Sequence, residues 1–252
     1  MKLSFLTYEK PLLTVMVQAD NPARVEELID KSLPEGAEAF GMQFCKMKSE
    51  YRSRETYNRL FSYAQGKPVY VTNYRRSCNT GKTDEQLAKE LVELADCGAT
   101  LCDVIGDLYD KQPDELAVGK DAIKRQMELI DKLHKIGAEV LMSSHIYTFT
   151  PAERVLQIAL AHQQRGADIC KIVTGADTME QQLENLKIIN LLKKHLEIPF
   201  LFLSTGECRI LRRIGGLLGS CMYLCVYEYD DFATPDQPLL KPLKAIRDNM
   251  VL

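Results

Sequence analysis

Eight short apolar runs rich in β-branched residues recur along the chain, each followed by an amphipathic stretch. The runs are Leu12–Ala19, Ala39–Cys45, Pro68–Thr72, Thr100–Ile105, Glu139–Ser144, Ile169–Thr174, Pro199–Leu203 and Cys221–Val226. The amphipathic stretches lie near 22–33, 54–64, 83–96, 118–136, 151–165, 178–194, 207–218 and 240–250. Strands that alternate with helices in this way pair in parallel, because each helix must carry the chain back to the start of the next strand. Eight such units close on themselves. The expected fold is therefore α/β, a single (β/α)8 barrel of the TIM type, with residues 1–252 as one domain. An open doubly wound sheet competes with this, but it normally announces itself by a glycine-rich phosphate loop after the first strand. Here Ala19-Asp20-Asn21-Pro22 follows that strand, and no G-x-G-x-x-G or Walker motif occurs.

The punctuation agrees with the periodicity. Gly36-Ala37, Gly98-Ala99, Gly137-Ala138 and Gly166-Ala167 each precede a strand, where a helix must end and the chain reverse. Such positions favour a left-handed residue without a Cβ. Helix starts are marked by Asn21-Pro22, by capping boxes at Thr83…Gln86 and Thr178…Gln181, and by Thr150-Pro-Ala-Glu153, which combines a box with proline at the first helical position.

Composition narrows the partners. A formal net charge of −3 offers no electrostatic case for nucleic acid or an anionic membrane. The basic clusters Arg75–Arg76 and Arg209–Arg212–Arg213 are short, as expected of a solvated face or a small-anion site. No run approaches the roughly 18 apolar residues of a membrane span, and Met1–Lys10 has no signal-peptide core, so a soluble cytoplasmic protein is expected. Of the eight cysteines, five (45, 102, 170, 221 and 225) sit in apolar strand runs and none forms C-x-x-C. They read as reduced, buried small hydrophobes.

In a barrel of this kind the reactive groups come from the C-terminal ends of the strands. That rule singles out Lys171 in Ile169-Cys-Lys-Ile-Val173, a lysine that its apolar neighbours should bury. Desolvation lowers the pKa of such an amine and makes it a nucleophile towards a carbonyl carbon. The alternative is a strand-end lysine that reaches out to solvent. His145 ends the neighbouring strand and could shuttle protons. His134, His162 and His195 fall in or at the ends of helices and read as structural. Arg213 could reach over the mouth to a carboxylate, whereas Arg209 and Arg212 read as surface charge. No trustworthy metal-ligand spacing is present, so no metal is implied.

These residues and their order resemble the type I 3-dehydroquinate dehydratase family from the first strand to the last helix. The motif Ser-x-His with Thr-Pro beyond it is matched by Ser143-Ser-His145 and Thr150-Pro151. Gly-Ala-Asp and then the lysine is matched by Gly166-Ala-Asp-Ile-Cys-Lys171. The strand-seven turn is matched by Ser204-Thr-Gly206 with Arg213 at the arginine position, and the closing loop by Ala233-Thr-Pro235-Asp-Gln237. The resemblance implies a small hydroxy-ketone carboxylate substrate, an imine on Lys171, and His145 as proton shuttle. It also implies Arg213 on the substrate carboxylate, Gln237 on a mobile loop over the mouth, no cofactor, and a homodimer in the shikimate pathway.

The sequence departs from the family's supporting shell. Gly41, Gln43 and Cys45 stand where the second strand carries Glu-x-Arg-x-Asp, and Thr72-Asn-Tyr74 stands at the Thr-x-Arg position. Asn79 and its neighbours replace a glutamate–glycine pair, and Ala233 replaces the loop serine. The carboxylate expected to orient His145 is thus missing, and Gln43 and Arg75 are the candidates to fill the gaps in substrate binding. An aldolase-like barrel acting on another hydroxy-ketone, or a non-catalytic ligand-binding homologue, remain the alternatives.

Overall fold

A computed structural model describes residues 3–250; the ends of the expected 1–252 domain, residues 1, 2, 251 and 252, lie outside the described residues. Among the described residues eight strands alternate with eight α-helices. In chain order these are β1 (Leu12–Val17), α1 (Pro22–Ser32), β2 (Ala39–Gln43), α2 (Arg54–Tyr63), β3 (Val69–Thr72) and α3 (Asp84–Asp96). Then follow β4 (Leu101–Ile105), α4 (Lys120–Ile136), β5 (Glu139–His145), α5 (Ala152–Gln164), β6 (Ile169–Gly175) and α6 (Met179–His195). The last units are β7 (Phe200–Thr205), α7 (Leu211–Leu218), β8 (Met222–Cys225) and α8 (Leu240–Asn249). All strand pairs are parallel, in the order β7-β6-β5-β4-β3-β2-β1-β8. The result is a nearly closed (β/α)8 barrel. At the seam between β7 and β8 the Cys221 N–H donates to the Phe200 carbonyl at 2.8 Å, and the Phe202 N–H donates to the Ser220 hydroxyl at 3.3 Å.

Alternation along each strand divides the apolar residues into two sets. Leu13, Val15, Phe40, Val71 and Val140 point outward against the helices. Leu12, Met16, Tyr70, Leu101, Leu141, Ile169 and Leu201 point inward and fill the barrel. Each fully buried aliphatic side chain of this kind contributes about 1.5–3 kcal/mol through area removed from water. Phe5 belongs to the inner set and closes the end opposite the site, where its N–H donates to the Glu139 carboxylate at 2.7 Å. Gly41 faces inward too. A Cβ there would lie 2.2 Å from the Met16 sulfur and 3.2 Å from the Tyr70 ring, so glycine is what leaves room for the Met16 side chain beside Tyr70.

The four glycines expected to reverse the chain have φ of 94°, 110°, 99° and 93° (Gly36, Gly98, Gly137 and Gly166). Thr83 and Gln86 form a complete capping box, and the Asn21 side chain accepts from the Arg24 N–H. Two caps differ from expectation. Pro151, not Thr150, is the N-cap of α5, because the Thr150 hydroxyl turns back to the Thr148 carbonyl. At Thr178 only half the box forms, since the Gln181 side chain accepts from the Asp177 N–H instead.

α7 begins at Leu211 rather than 207. The Cys208 N–H is held by the Ala176 carbonyl (2.8 Å) and the Glu207 N–H by the Asp177 carboxylate (3.2 Å), so this stretch runs along the end of β6 before it coils. The cysteines are all free, with Cys45, Cys102, Cys170 and Cys225 buried and Cys221 half-buried. No helix among the described residues is long and apolar enough to cross a membrane.

Candidate active site

β6 carries Lys171 into the lumen, where only 4% of the residue is exposed. Burying a lone ammonium would cost several kcal/mol. The compensation is local. Its Nζ donates to the Tyr70 hydroxyl at 3.0 Å, the Tyr74 hydroxyl at 2.9 Å and the Asp103 carboxylate at 3.3 Å. Both tyrosine hydroxyls donate to the same Asp103 oxygen, Tyr74 at 2.6 Å, and Ser143 donates to the other at 2.5 Å. Burial lowers the Lys171 pKa, opposed by Asp103 and assisted by the charge of Arg76. Burial would raise the Asp103 pKa, but Lys171, His145 and the hydroxyl donors outweigh it and hold the group below its ordinary value.

β5 ends with His145, and its Nδ1 lies 2.9 Å from the Glu115 carboxylate, which also accepts from the His145 N–H at 2.7 Å. An ionised carboxylate only accepts, so the proton sits on Nδ1 and Nε2 keeps its lone pair. The Glu115 pKa is lowered: burial pushes it up, and the hydrogen bonds and charge of His145 more than offset that. Burial, and then Lys171, lower the pKa of His145, with Glu115 pulling the other way. Glu115 comes from the loop between β4 and α4. Its backbone is left-handed (φ 47°), a costly conformation for a residue with a Cβ, held where its carbonyl accepts from Ser144 at 2.7 Å. Glu115 thus gives His145 a carboxylate partner from the loop between β4 and α4.

Lys171 and His145 line one cavity of about 120 Å³ at the C-terminal mouth, together with Gln43, Thr72, Arg212 and Gln237. A wider vestibule of about 460 Å³ adjoins it and shares Tyr74, Arg76, His145 and Tyr147. Gln43 and Thr72 are register partners, and the buried oxygens Gln43 Oε1 and Thr72 Oγ1 have no hydrogen-bond partner in the protein. They are acceptors waiting for a donor. Gln237 is held by the Gln18 amide at 2.9 Å, and its loop is pinned by Arg24 on Asp230 and Arg209 on Asp236.

Three expected site residues lie elsewhere. Arg213 is exposed on the outer face of α7, while Arg212, 5% exposed, points into the cavity with its Nε on the Ser204 carbonyl at 2.7 Å. The late start of α7 sets this phase. Burial takes the Arg212 pKa down to about 10, Asp236 opposing. Arg75 reaches the vestibule wall, but its guanidinium is paired with Asp84 at 2.7 Å and Asp107 at 2.6 Å; the neighbouring Arg76 enters the cavity instead. Ala233 packs beside Val226 and Leu28 outside the cavity, and Thr234 occupies the loop position that faces in.

Asp103, Tyr70, Tyr74 and Glu115 were absent from the sequence-derived set. Asp103 carried a signal, for it lies in Leu101-Cys-Asp-Val-Ile105, as apolar a run as the one around Lys171. Glu115 carried none.

Taken with the fold, these groups put the chain among the (β/α)8 barrels that hold a buried lysine at the mouth of the barrel. Within that class, the type I 3-dehydroquinase family model matches residues 15–250, and the chain belongs to that family. It is 34% identical over 104 residues to a 3-dehydroquinate dehydratase of Alkaliphilus oremlandii, and 33% over 98 residues to one of Syntrophotalea carbinolica. These matches cover 40% and 38% of this chain and 40% and 39% of the relatives, so the chain spans about two fifths of the length of the curated relatives it matches. The fold is close to that of solved 3-dehydroquinate dehydratases. The Geobacillus kaustophilus structure gives a TM-score of 0.80 at 17% identity, over 96% of this chain and 92% of that one. The Clostridium difficile structure gives 0.79 at 18%, over 96% and 93%.

Proposed function

We propose that this chain is a 3-dehydroquinate dehydratase, a carbon–oxygen lyase that works through an imine on Lys171. The observation that carries this is the buried Lys171 amine sharing a cavity with His145. A lysine whose pKa is depressed by burial supplies the neutral amine that attacks a ketone. Loss of water from the addition product gives an iminium, which draws electrons from the neighbouring C–H bond. The free Nε2 of His145 takes that proton and returns it to the hydroxyl that departs, while the Glu115 carboxylate stabilises the imidazolium between the two steps. Hydrolysis of the iminium releases the product and restores Lys171. Arg212 is positioned to hold the substrate carboxylate by a two-pronged contact, with Gln237 beside it. Gln43 Oε1 and Thr72 Oγ1 accept from substrate hydroxyls. The electron sink is the iminium itself, so the scheme needs no cofactor.

The family resemblance supports a place in the shikimate route to aromatic amino acids, and we extend the proposal to a cytoplasmic homodimer. A second reading has one observation in its favour. Gln43 and Tyr74 line the cavity where the family pattern carries arginines, which suits a related hydroxy-ketone other than 3-dehydroquinate.

Incubation with 3-dehydroquinate and borohydride, followed by intact-mass and peptide analysis, tests the proposal. A reduced adduct on Lys171 together with turnover is expected. No adduct would sink the imine, and an adduct without turnover would favour the second reading.

A further inference from the structure

Imine formation also needs an acid beside the nitrogen. The carbinolamine must lose its oxygen as water, and an acid must protonate that oxygen close to the nitrogen that bears it. Tyr74 lines the cavity, and its Oη lies 2.9 Å from Lys171 Nζ. Tyr70 makes the same pair of hydrogen bonds, yet it is fully buried and lines no part of the cavity. Resting on the imine reading, we propose that Tyr74 is a further catalytic residue, the acid that protonates the oxygen leaving the Lys171 carbinolamine, with Asp103 resupplying its proton.

The protons balance. Take Lys171 first as an ammonium paired with the Asp103 carboxylate, 3.3 Å away. One proton passes to Asp103 and frees the amine. The amine forms a C–N bond to the carbonyl carbon, and a second nitrogen proton moves to the carbonyl oxygen. Tyr74 then gives its phenolic proton to that hydroxyl. The C–O bond breaks, water leaves, and the nitrogen lone pair completes the iminium. Asp103 returns its proton to the Tyr74 oxygen across 2.6 Å. The sum is ammonium plus ketone giving iminium plus water, with Tyr74 and Asp103 as they began.

The surroundings hold the tyrosine for this task. The Asn79 amide donates to the Tyr74 carbonyl at 2.8 Å, and Arg76 covers the ring at 5.0 Å. The His145 ring meets it edge-on, 5.1 Å between centroids. The charged and titratable groups facing Tyr74 are Lys171 from β6, Asp103 from β4, His145 from β5, Tyr70 and Arg76 from its own strand and turn, and Cys45 from the turn after β2.

The test is the rate at which the borohydride-trapped adduct appears on Lys171 with saturating 3-dehydroquinate, in the wild type and in Tyr74→Phe. The expected result is a rate lower by about 10²-fold, the usual weight of a general acid, with the same final stoichiometry. Equal rates would overturn the role of Tyr74 and leave the imine standing. No adduct in the wild type would remove the imine and this proposal with it. If Tyr74→Phe does not fold, 3-fluorotyrosine at position 74 keeps the ring, the hydroxyl and the fold while making the phenol more acidic. The alkaline limb of the adduct-formation profile should then move to lower pH, and an unmoved limb would overturn the proposal.

Discussion

Asp103 and Lys171 are 68 positions apart in the chain and 3.3 Å apart in the barrel. Each would be untenable in an apolar strand alone, and each makes the other tolerable. The same economy governs His145 and Glu115. Glu115→Gln keeps the size of the side chain and removes the charge that stabilises an imidazolium. The expected outcome is a fall in kcat of about 10–10²-fold, on the scale of losing a group that orients a catalytic base. The acid limb of the rate profile should also move to lower pH, because Glu115 is what pulls the His145 pKa upward. The two arginines of α7 give a cleaner contrast. Arg212→Ala should raise KM by about 10–10²-fold, as befits a lost charge-assisted hydrogen-bonded pair. Arg213→Ala, exposed on the other side of the helix, should leave kcat/KM near the wild-type value. Steady-state kinetics on the two variants decide between them.

At the scale of the element, α5 carries a titration of its own. His162 is fully buried against β5 and β6, 3.1 Å from the Ser144 hydroxyl and 3.4 Å from the Cys170 sulfur. Burial, and then Arg165, push its pKa down to about 3. In the unfolded chain a histidine titrates near 6.5, so between those values the unfolded state binds the extra proton. Folding stability therefore declines as the pH falls below about 6.5, by up to about 1.4 kcal/mol per pH unit from this one group. His162→Gln should flatten that slope in denaturant titrations run between pH 6.5 and 4, and an unchanged slope would show the acid sensitivity to lie elsewhere.

Elements were also where the sequence was most legible. The β-branched runs marked all eight strands to within about two residues at their ends, and the Gly-Ala pairs marked four chain reversals, because those signals are local. Lys171 stood out since a charge in an apolar strand is anomalous by itself. Arg212 was misread as surface charge because the choice between two adjacent arginines depends on where α7 begins. Hydrogen bonds from the Cys208 and Glu207 N–H groups to the Ala176 carbonyl and the Asp177 carboxylate, about 30 positions earlier, fix that start. Glu115 could not be found at all from sequence. Nothing in Gln112-Pro-Asp-Glu115 shows that the loop will bend into a left-handed residue beneath a histidine on the next strand.

Across the whole molecule, the ladder of strands runs unbroken from β8 through β1 to β7, and the two ends meet at a seam with little backbone pairing. α7 lies over the seam, and Gly216 lets it settle onto the Tyr223 ring, where a Cβ would come within 2.4 Å. At the mouth Arg209, just before α7, is joined to Asp236, beyond β8, at 2.7 Å. Arg212 and Gln237 flank the cavity from the same two sides. A carboxylate ligand held by both would therefore act as a missing rung, completing the hoop that the backbone leaves incomplete. Binding and closure then become one event. Hydrogen exchange read on β7 and β8 should slow when ligand is added, more than it does on β3 and β4 across the barrel. Uniform protection around the ring would show that the ligand fills the mouth without fastening it.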